Sequence, residues 1–288
     1  MIWVKSFWGY NIMGIRINGK KIQEDIFQEL QKSIKDHNLN PSLGIIFVGD
    51  DSRSRQYVEA KKNFGERLGV GVKILQPQGD TTQDIIDCID QAEKEYTGVI
   101  VQLPLVEGID TEAVLSSIHK DSDVDMLNPK TNQDFSKDVI GSPVALAVKR
   151  ILRETGIDIS QATNHKFVVV GKGELVGIPC QKMLQDFSQT LYVIDKATED
   201  SDKKRLLQEA TVIISGTGIS GLITPDLISD NVILIDAGTS LAGTTFKGDV
   251  DHASYEKASY YSPVPGGVGP VAVAMLFQNL VNLTIAKK

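Results

Sequence analysis

The 288-residue sequence predicts an α/β chain of two domains built on parallel sheets. Three observations carry that expectation. Short continuous apolar runs such as LGIIFVG, GVIVQLPL and KFVVVG alternate with longer amphipathic stretches almost throughout. Strands that are apolar on both faces belong to parallel sheets covered by helices on each side. Two such alternating blocks are separated by a polar stretch, Asp121 to Pro143, long for a connection inside one compact domain.

The elements follow in order. In residues 17–34, Ile22, Ile26, Leu30 and Ile34 recur on one helical face. Residues 43–49 are an apolar run closed by Gly49, which reads as a buried strand. Residues 55–69 read as a helix ended by Gly69. VKIL, residues 81–95 and GVIVQLPL give strand, helix and strand, and residues 109–118 a short helix. Beyond the polar stretch, residues 144–154 read as helix. The second block then holds KFVVVG, LYVID, KRLLQEA, TVIISGT and VILIDAG. YSPVPGGVGP and an apolar helix over residues 271–285 close the chain. A cleft between two such domains is a favoured place for a ligand.

Composition narrows the class. Hydrophobic residues make up 41% and charged residues 23%, as in ordinary soluble globular proteins. A net charge of -7 argues against a nucleic-acid binder that relies on phosphate attraction. Cys88 and Cys180 are isolated, so small buried thiols in a reducing, cytoplasmic compartment are expected. No run of about 18 apolar residues exists, and no membrane span is expected. The opening MIWVKSFWGYNIMG is interrupted by Lys5, Gly9 and Asn11 and lacks the layout of a signal peptide. Residues 1–13 are expected to be a disordered or loosely docked leader, with Met13 an alternative start. His37, His119, His165 and His252 show no metal spacing and read as surface or structural.

Several side chains are candidates for chemistry. Tyr57 and Lys61 stand four apart on a helix, hence on one face, with Ser54 a turn earlier. A lysine in an apolar cleft beside a phenol can move protons; the bland alternative is a solvated helix face. Gln102 ends an apolar strand, where α/β proteins place ligand contacts, and its amide can bond a lysine or a substrate carbonyl. Asp121, Asp123 and Asp125 alternate, but the glycine and distal glutamate of a calcium loop are missing, so no metal is expected. One of these aspartates recognising a polar ring is the better reading. In SPVPGGVGP, a stiff backbone poor in side chains lets a flat ligand approach closely.

GKGELVGIP, Gly171 to Pro179, is a glycine-rich turn between a strand and a helix, the usual seat of a dinucleotide pyrophosphate. Its glycines Gly171, Gly173 and Gly177 are spaced G-x-G-x-x-x-G, one residue longer than the common fingerprint.

Taken together and in this order, VGDDSRSRQYVEAK, Val101 to Leu105, Asp123 to Asp125, Gly248 to Asp251 and Pro263 to Pro270 resemble one family. It is the bifunctional methylenetetrahydrofolate dehydrogenase/methenyltetrahydrofolate cyclohydrolase family, and the resemblance runs from Gly14 to the C-terminus. It implies a catalytic, folate-binding domain of residues 14–140 plus 268–288, the last helix returning to it. Residues 141–267 would be a Rossmann-like NAD(P)-binding domain. By position, Lys61 would be the catalytic lysine, Tyr57 its partner over the substrate, Gln102 its orienting amide and Asp125 the pterin ligand. Ser54, Val101, Leu103, Pro265, Gly266, Gly267 and Gly269 would line the folate side. Gly171, Lys172, Gly173, Asp195, Lys196 and Thr239 would meet the dinucleotide. The implied reactions are oxidation of 5,10-methylenetetrahydrofolate with NAD(P), then hydrolysis of the methenyl product to 10-formyltetrahydrofolate. A homodimer is implied as well.

The sequence departs from the family pattern in four places. IGSPVA stands for the usual P-C-T-P-x-G, with Ser142 and Pro143 retained in type, and Val271-Ala272 stand where Met-Thr is preferred. The other two lie after Asp123 and in the cofactor loop. DVDMLNPKTNQ stands where the family has D-V-D-G-F-H-P-x-N-x-G, so Met126, Leu127, Asn128, Thr131 and Gln133 are changed. That bears on the balance of the two activities, and a dehydrogenase with weak cyclohydrolase activity is the alternative. A folate- or nucleotide-binding protein without turnover is a second, and a shikimate-type dehydrogenase the rival if the resemblance is set aside. In the cofactor loop, Lys172 and Gly173 replace the usual Arg-Ser, and Lys196 a later serine. Lysine can still neutralise the 2′-phosphate of NADP. Asp195, where a histidine is common, would instead favour the free ribose hydroxyl of NAD. NADP is the expectation, with NAD possible because of Asp195.

Overall fold

A computed structural model describes residues 14–131, 140–161, 164–185, 187, 190–242 and 245–288. The leader, residues 1–13, and Gln133 lie outside them. The chain opens with β1 (Ile15–Arg16) and α1 (Gly19–Asp36). β2 (Ser42–Ile46), α2 (Ser52–Leu68), β3 (Gly71–Leu75), α3 (Thr82–Glu95), β4 (Gly98–Val101) and α4 (Thr111–Ser117) follow in alternation. β2 is the centre of a parallel three-stranded sheet, between β3 and β4. The helices begin on side-chain caps that satisfy orphan N–H groups. Asn18 accepts from Lys21 in α1, Asp51 from Ser54 in α2, and Thr81 with Asp84 forms a capping box in α3. Gly69 ends α2 at φ 81°, a left-handed conformation suited to glycine.

The second block is α5 (Pro143–Glu154), β5 (Phe167–Val170), α6 (Gly177–Gln185), β6 (Leu191–Ile194), α7 (Asp200–Glu209), β7 (Val212–Ser215) and β8 (Val232–Asp236). An antiparallel hairpin of β9 (Ser240–Ala242) and β10 (Thr245–Lys247) follows. β11 (Ala258–Ser262) and α8 (Val268–Ala286) complete the chain. The second sheet is parallel, in the order β1-β11-β8-β7-β5-β6. The two-domain α/β plan expected from the sequence is therefore what the backbone adopts. β1 enters from the other end of the chain: Ile15 and Arg16 pair with Tyr260 and Tyr261 of β11.

α8 packs against α1 and α2 on one side and α5 on the other. One apolar cluster runs through it, from Ile26 and Leu30 by way of Phe277 to Ile151 and Phe167. A helix so enclosed needs apolar residues all round. It is also long and apolar enough to cross a membrane by length and composition alone, with a mean hydropathy of 1.5, but 61% of that window is buried inside the protein. Asn279 is its buried polar residue, donating to the carbonyls of Val124 at 2.8 Å and Gly141 at 2.7 Å. It thereby ties α8 to both ends of the polar stretch between the two blocks.

Candidate active site

Lys61 emerges from the middle of α2 and is mostly buried, its side chain 12% exposed. Its Nζ donates to Gln102 Oε1 at 3.1 Å and stands 3.6 Å from Asp125 Oδ2. Three separate segments therefore converge on one ammonium. Gln102 follows β4 and is held at both ends, because its Nε2 donates to the Leu103 carbonyl at 2.8 Å. The Leu103–Pro104 peptide is cis. Val101 is buried in the core behind it, and Leu103 is half-buried against the same cluster.

Asp125 is placed by its neighbours. Val99 bridges Asp123 in parallel fashion, which lays the segment beside β4. Asp123 is fully buried and accepts the N–H groups of Leu127 at 3.2 Å and Asn128 at 2.9 Å. Burial pushes its carboxyl up to about 6; the N–H donors oppose that rise and the charge of Asp125 adds to it. Asn128 is buried too, and donates to the Ile118 carbonyl at 2.6 Å.

One helical turn before Lys61, the Tyr57 hydroxyl reaches across to the second domain and donates to Thr239 Oγ1 at 3.1 Å. The Phe246 ring of the hairpin lies 5.6 Å from the Tyr57 ring. Ser54 is buried, and its hydroxyl donates to Asp51 at 2.8 Å within the helix cap. The Pro263–Pro270 segment is fastened by α1: the Gly19 N–H donates to the Gly266 carbonyl at 3.0 Å, and Gln23 to the Pro270 carbonyl at 2.8 Å. Val264–Pro265 is cis, Pro265 and Gly269 are exposed, and a Cβ on Gly269 would meet open space. Gly267 is buried, where a Cβ would fall 2.6 Å from the Pro263 carbonyl oxygen.

The second constellation lies at the carboxyl ends of β5 and β6. Gly171 has φ 105°, and a Cβ on Gly177 would fall 2.2 Å from the Gly171 carbonyl oxygen. The strand-to-helix turn is therefore as tight as a pyrophosphate cradle requires, and the residues present fit a dinucleotide. Lys172 Nζ lies 2.5 Å from Asp195 Oδ2. Asp195 Oδ1 accepts the Ala197 N–H at 2.9 Å and the Thr198 hydroxyl at 3.3 Å. The Lys172 ammonium and these donors hold the Asp195 carboxyl below the usual carboxylate range. Gly173 and Lys196 are exposed beside the pair. Among the described residues, no group of three or more His, Cys, Asp or Glu side chains is placed to hold a metal ion.

The sequence reading missed Thr217, Phe246 and the buried acids Asp236 and Asp249. The signal for the acids was present: IDAG and GDVD each carry an aspartate within an otherwise apolar or glycine-rich run.

A dinucleotide turn in one domain and a buried lysine with an amide and a carboxylate in the other, with Tyr57 bonded across to Thr239, fit an NAD(P)-dependent oxidoreductase that also carries proton-transfer groups. Residues 17–125 match the tetrahydrofolate dehydrogenase/cyclohydrolase catalytic domain, and residues 142–288 match its NAD(P)-binding domain. The chain belongs to the tetrahydrofolate dehydrogenase/cyclohydrolase family, as the resemblance indicated. It is an enzyme of that bifunctional class. Among curated relatives, the bifunctional protein FolD of Halothermothrix orenii is 32% identical over 281 residues, covering 94% of this chain and 98% of its own. FolD of Methanosphaerula palustris is 34% identical over 272 residues, covering 91% and 94%. The FolD enzyme of Trypanosoma brucei, solved with NADP cofactor and inhibitor, superposes with a TM-score of 0.86 at 27% identity, covering 95% of this chain and 98% of its own. That of Campylobacter jejuni gives 0.84 at 28% identity, covering 95% and 99%.

Proposed function

We propose that this chain oxidises 5,10-methylenetetrahydrofolate and then hydrolyses the methenyl product to 10-formyltetrahydrofolate, with both steps in the cleft between α2 and the Gly171 turn. The observation that carries the reading is the Lys61 ammonium held between Gln102 and Asp125. NAD(P), when bound at the Gly171 turn, supplies the acceptor for the hydride lost from the methylene bridge. The chain's own part in that step is alignment. Tyr57 and the Pro265–Gly269 backbone hold the folate ring system flat against the cleft, and Asp125 accepts its N–H groups.

Hydrolysis needs proton movement. Water adds to the methenyl carbon and gives up both its protons as the formyl carbonyl forms: one goes to the ring nitrogen that leaves, and the other is released. Lys61 is the group that carries these protons. Gln102, bonded at both ends, fixes the lysine's direction. Asp125 balances its charge. The buried support of Asp125 favours retention of cyclohydrolase activity over the dehydrogenase-only alternative.

We assign NADP as the preferred cofactor. Both oxygens of Asp195 are engaged, and Lys172 partly neutralises it, so the carboxylate is a weaker bar to a 2′-phosphate than a free one. Lys172 and Lys196 supply the positive charge. A homodimer fits the exposed edge of β6, where Tyr192 is 41% exposed. A cytoplasmic location fits two unpaired cysteines. Initial rates with methylenetetrahydrofolate and either NADP or NAD test the reaction and the cofactor together. No nicotinamide reduction with either cofactor would refute the assignment, and a higher kcat/KM with NAD would reverse the cofactor preference.

A further inference from the structure

The order of strands in the second sheet reverses at β5, the chain adding β6 on one side and then β7 and β8 on the other. In open parallel sheets the ligand crevice lies beyond the carboxyl ends of the strands flanking such a reversal. One wall here is the Gly171 turn after β5, and the other is the Gly216–Thr217 turn after β7. The walls touch: a Cβ on Gly171 would lie 3.1 Å from the Gly216 carbonyl oxygen and 3.2 Å from the Thr217 methyl group.

Asp249 lies beneath the second wall and is fully buried. Its Oδ2 accepts both the Ser215 hydroxyl and the Thr217 N–H, each at 2.6 Å. Its Oδ1 has no hydrogen-bond partner. That oxygen is pressed against Gly238, where a Cβ would fall 2.1 Å away. Asp236, equally buried, accepts the N–H groups of Gly238 at 3.0 Å, Asp249 at 3.1 Å and Val250 at 2.9 Å. It therefore holds the segment that carries Asp249.

We infer that Asp249 is a positioning residue for the dinucleotide: it fixes the 215–217 turn that walls the crevice, and Asp236 fixes Asp249. This role rests on the dinucleotide reading of that crevice. A buried oxygen without a donor is costly, and an apolar side chain would fill the space without that cost. What the acid adds is one oxygen that accepts two short bonds from the turn, which an apolar residue could not supply.

The test uses the full chain and both reactions, because methenyl hydrolysis requires no dinucleotide. Asp249→Ala is expected to raise the KM for the dinucleotide about ten-fold or more, as expected when an interaction that orders a binding site is lost. Its KM for methylenetetrahydrofolate and its cyclohydrolase kcat/KM should stay within about three-fold of wild type. Asp249→Asn keeps an oxygen for Ser215 and Thr217, and should recover most of the dinucleotide KM. An Asp249→Ala enzyme with unchanged dinucleotide KM, or with both activities lowered alike, would overturn the role. If Asp249→Ala does not fold, Ser215→Ala removes one of the two bonds; the same selective rise in dinucleotide KM is expected, and an unchanged KM overturns the inference. A wild-type chain that hydrolyses the methenyl compound but reduces no dinucleotide would instead sink the reading of the crevice.

Discussion

Lys61→Met separates the chemistry of the lysine from its packing. Methionine keeps an unbranched, flexible stem and removes the ammonium bonded to Gln102 at 3.1 Å and facing Asp125 at 3.6 Å. Gln102 keeps its bond to the Leu103 carbonyl at 2.8 Å, so the amide stays in place. Its Oε1 loses a partner at a nearly buried position, which costs on the order of 1–3 kcal/mol of stability and leaves the fold intact. The catalytic loss is larger. Removal of a positioned proton carrier should lower cyclohydrolase kcat about 10²- to 10⁴-fold, roughly 3–5 kcal/mol of transition-state stabilisation. Hydride transfer depends on alignment rather than on this proton, so the dehydrogenase should fall by about ten-fold or less. Near-ultraviolet absorbance follows the methenyl compound, and nicotinamide absorbance follows the oxidation. The expected signature is accumulation of the methenyl compound during turnover. A variant whose cyclohydrolase kcat stays within about three-fold of wild type would refute the role assigned to Lys61.

Asp195→Ala leaves Lys172 without its carboxylate and removes a negative charge near the ribose. A carboxylate at that position repels a 2′-phosphate more than it does a free hydroxyl, so the kcat/KM ratio of NADP to NAD should rise by a few-fold; a fall would contradict the NADP preference. Asn279→Ala strands the Val124 and Gly141 carbonyls in the core. Urea unfolding should show a loss of about 3 kcal/mol, with a weaker cyclohydrolase because Val124 adjoins Asp125. Acid–base behaviour follows from Asp236 and Asp123, which burial pushes up to about 7 and about 6 from an ordinary 3.8. Both raised groups favour the folded state fully below about pH 4, where both states are protonated alike, and that contribution is lost as pH climbs through 6 and 7. Each is worth on the order of 3–4 kcal/mol at most between those limits. Urea unfolding free energy should therefore decline from pH 5 to pH 8 by more in wild type than in Asp236→Asn; equal declines would show that Asp236 does not hold its proton in the fold.

What was legible in the sequence followed from periodicity and local chemistry. The apolar runs became β2, β4, β5, β7 and β8 because strands buried on both faces need nothing else to declare themselves. The four-residue step from Tyr57 to Lys61 was legible for the same local reason. The missed elements owe their existence to distant partners. β1 is two residues long and is a strand only because Tyr260 and Tyr261 lie beside it. β11 reads ASYYS, and its burial comes partly from the stack of Tyr261 on Tyr255 at 4.1 Å. The contact of Tyr57 with Thr239 spans the two domains and has no sequence signature at all. Residues 126–128 depart from the family pattern, and no local rule says whether Asp125 survives that change.

The structure supplies the physical answer for that segment. Met126 stands where the family pattern has glycine, and its φ is 56°. A non-glycine residue there costs about 1–2 kcal/mol of backbone strain. Three features counter it. The Met126 side chain is buried, and burying such a side chain is worth about 1.5–3 kcal/mol. Asp123 gathers the Leu127 and Asn128 N–H groups, which closes the turn from within. Asn128 then anchors the far side to the Ile118 carbonyl at the end of α4. Asp125 is carried between these fixed points and still reaches Lys61. Met126, Leu127 and Asn128 thus form a packed turn that keeps the carboxylate near the lysine. Met126→Gly should accordingly be no more than weakly stabilising: the strain it relieves is offset by the cavity it opens, and Asp125 retains its anchors on both sides.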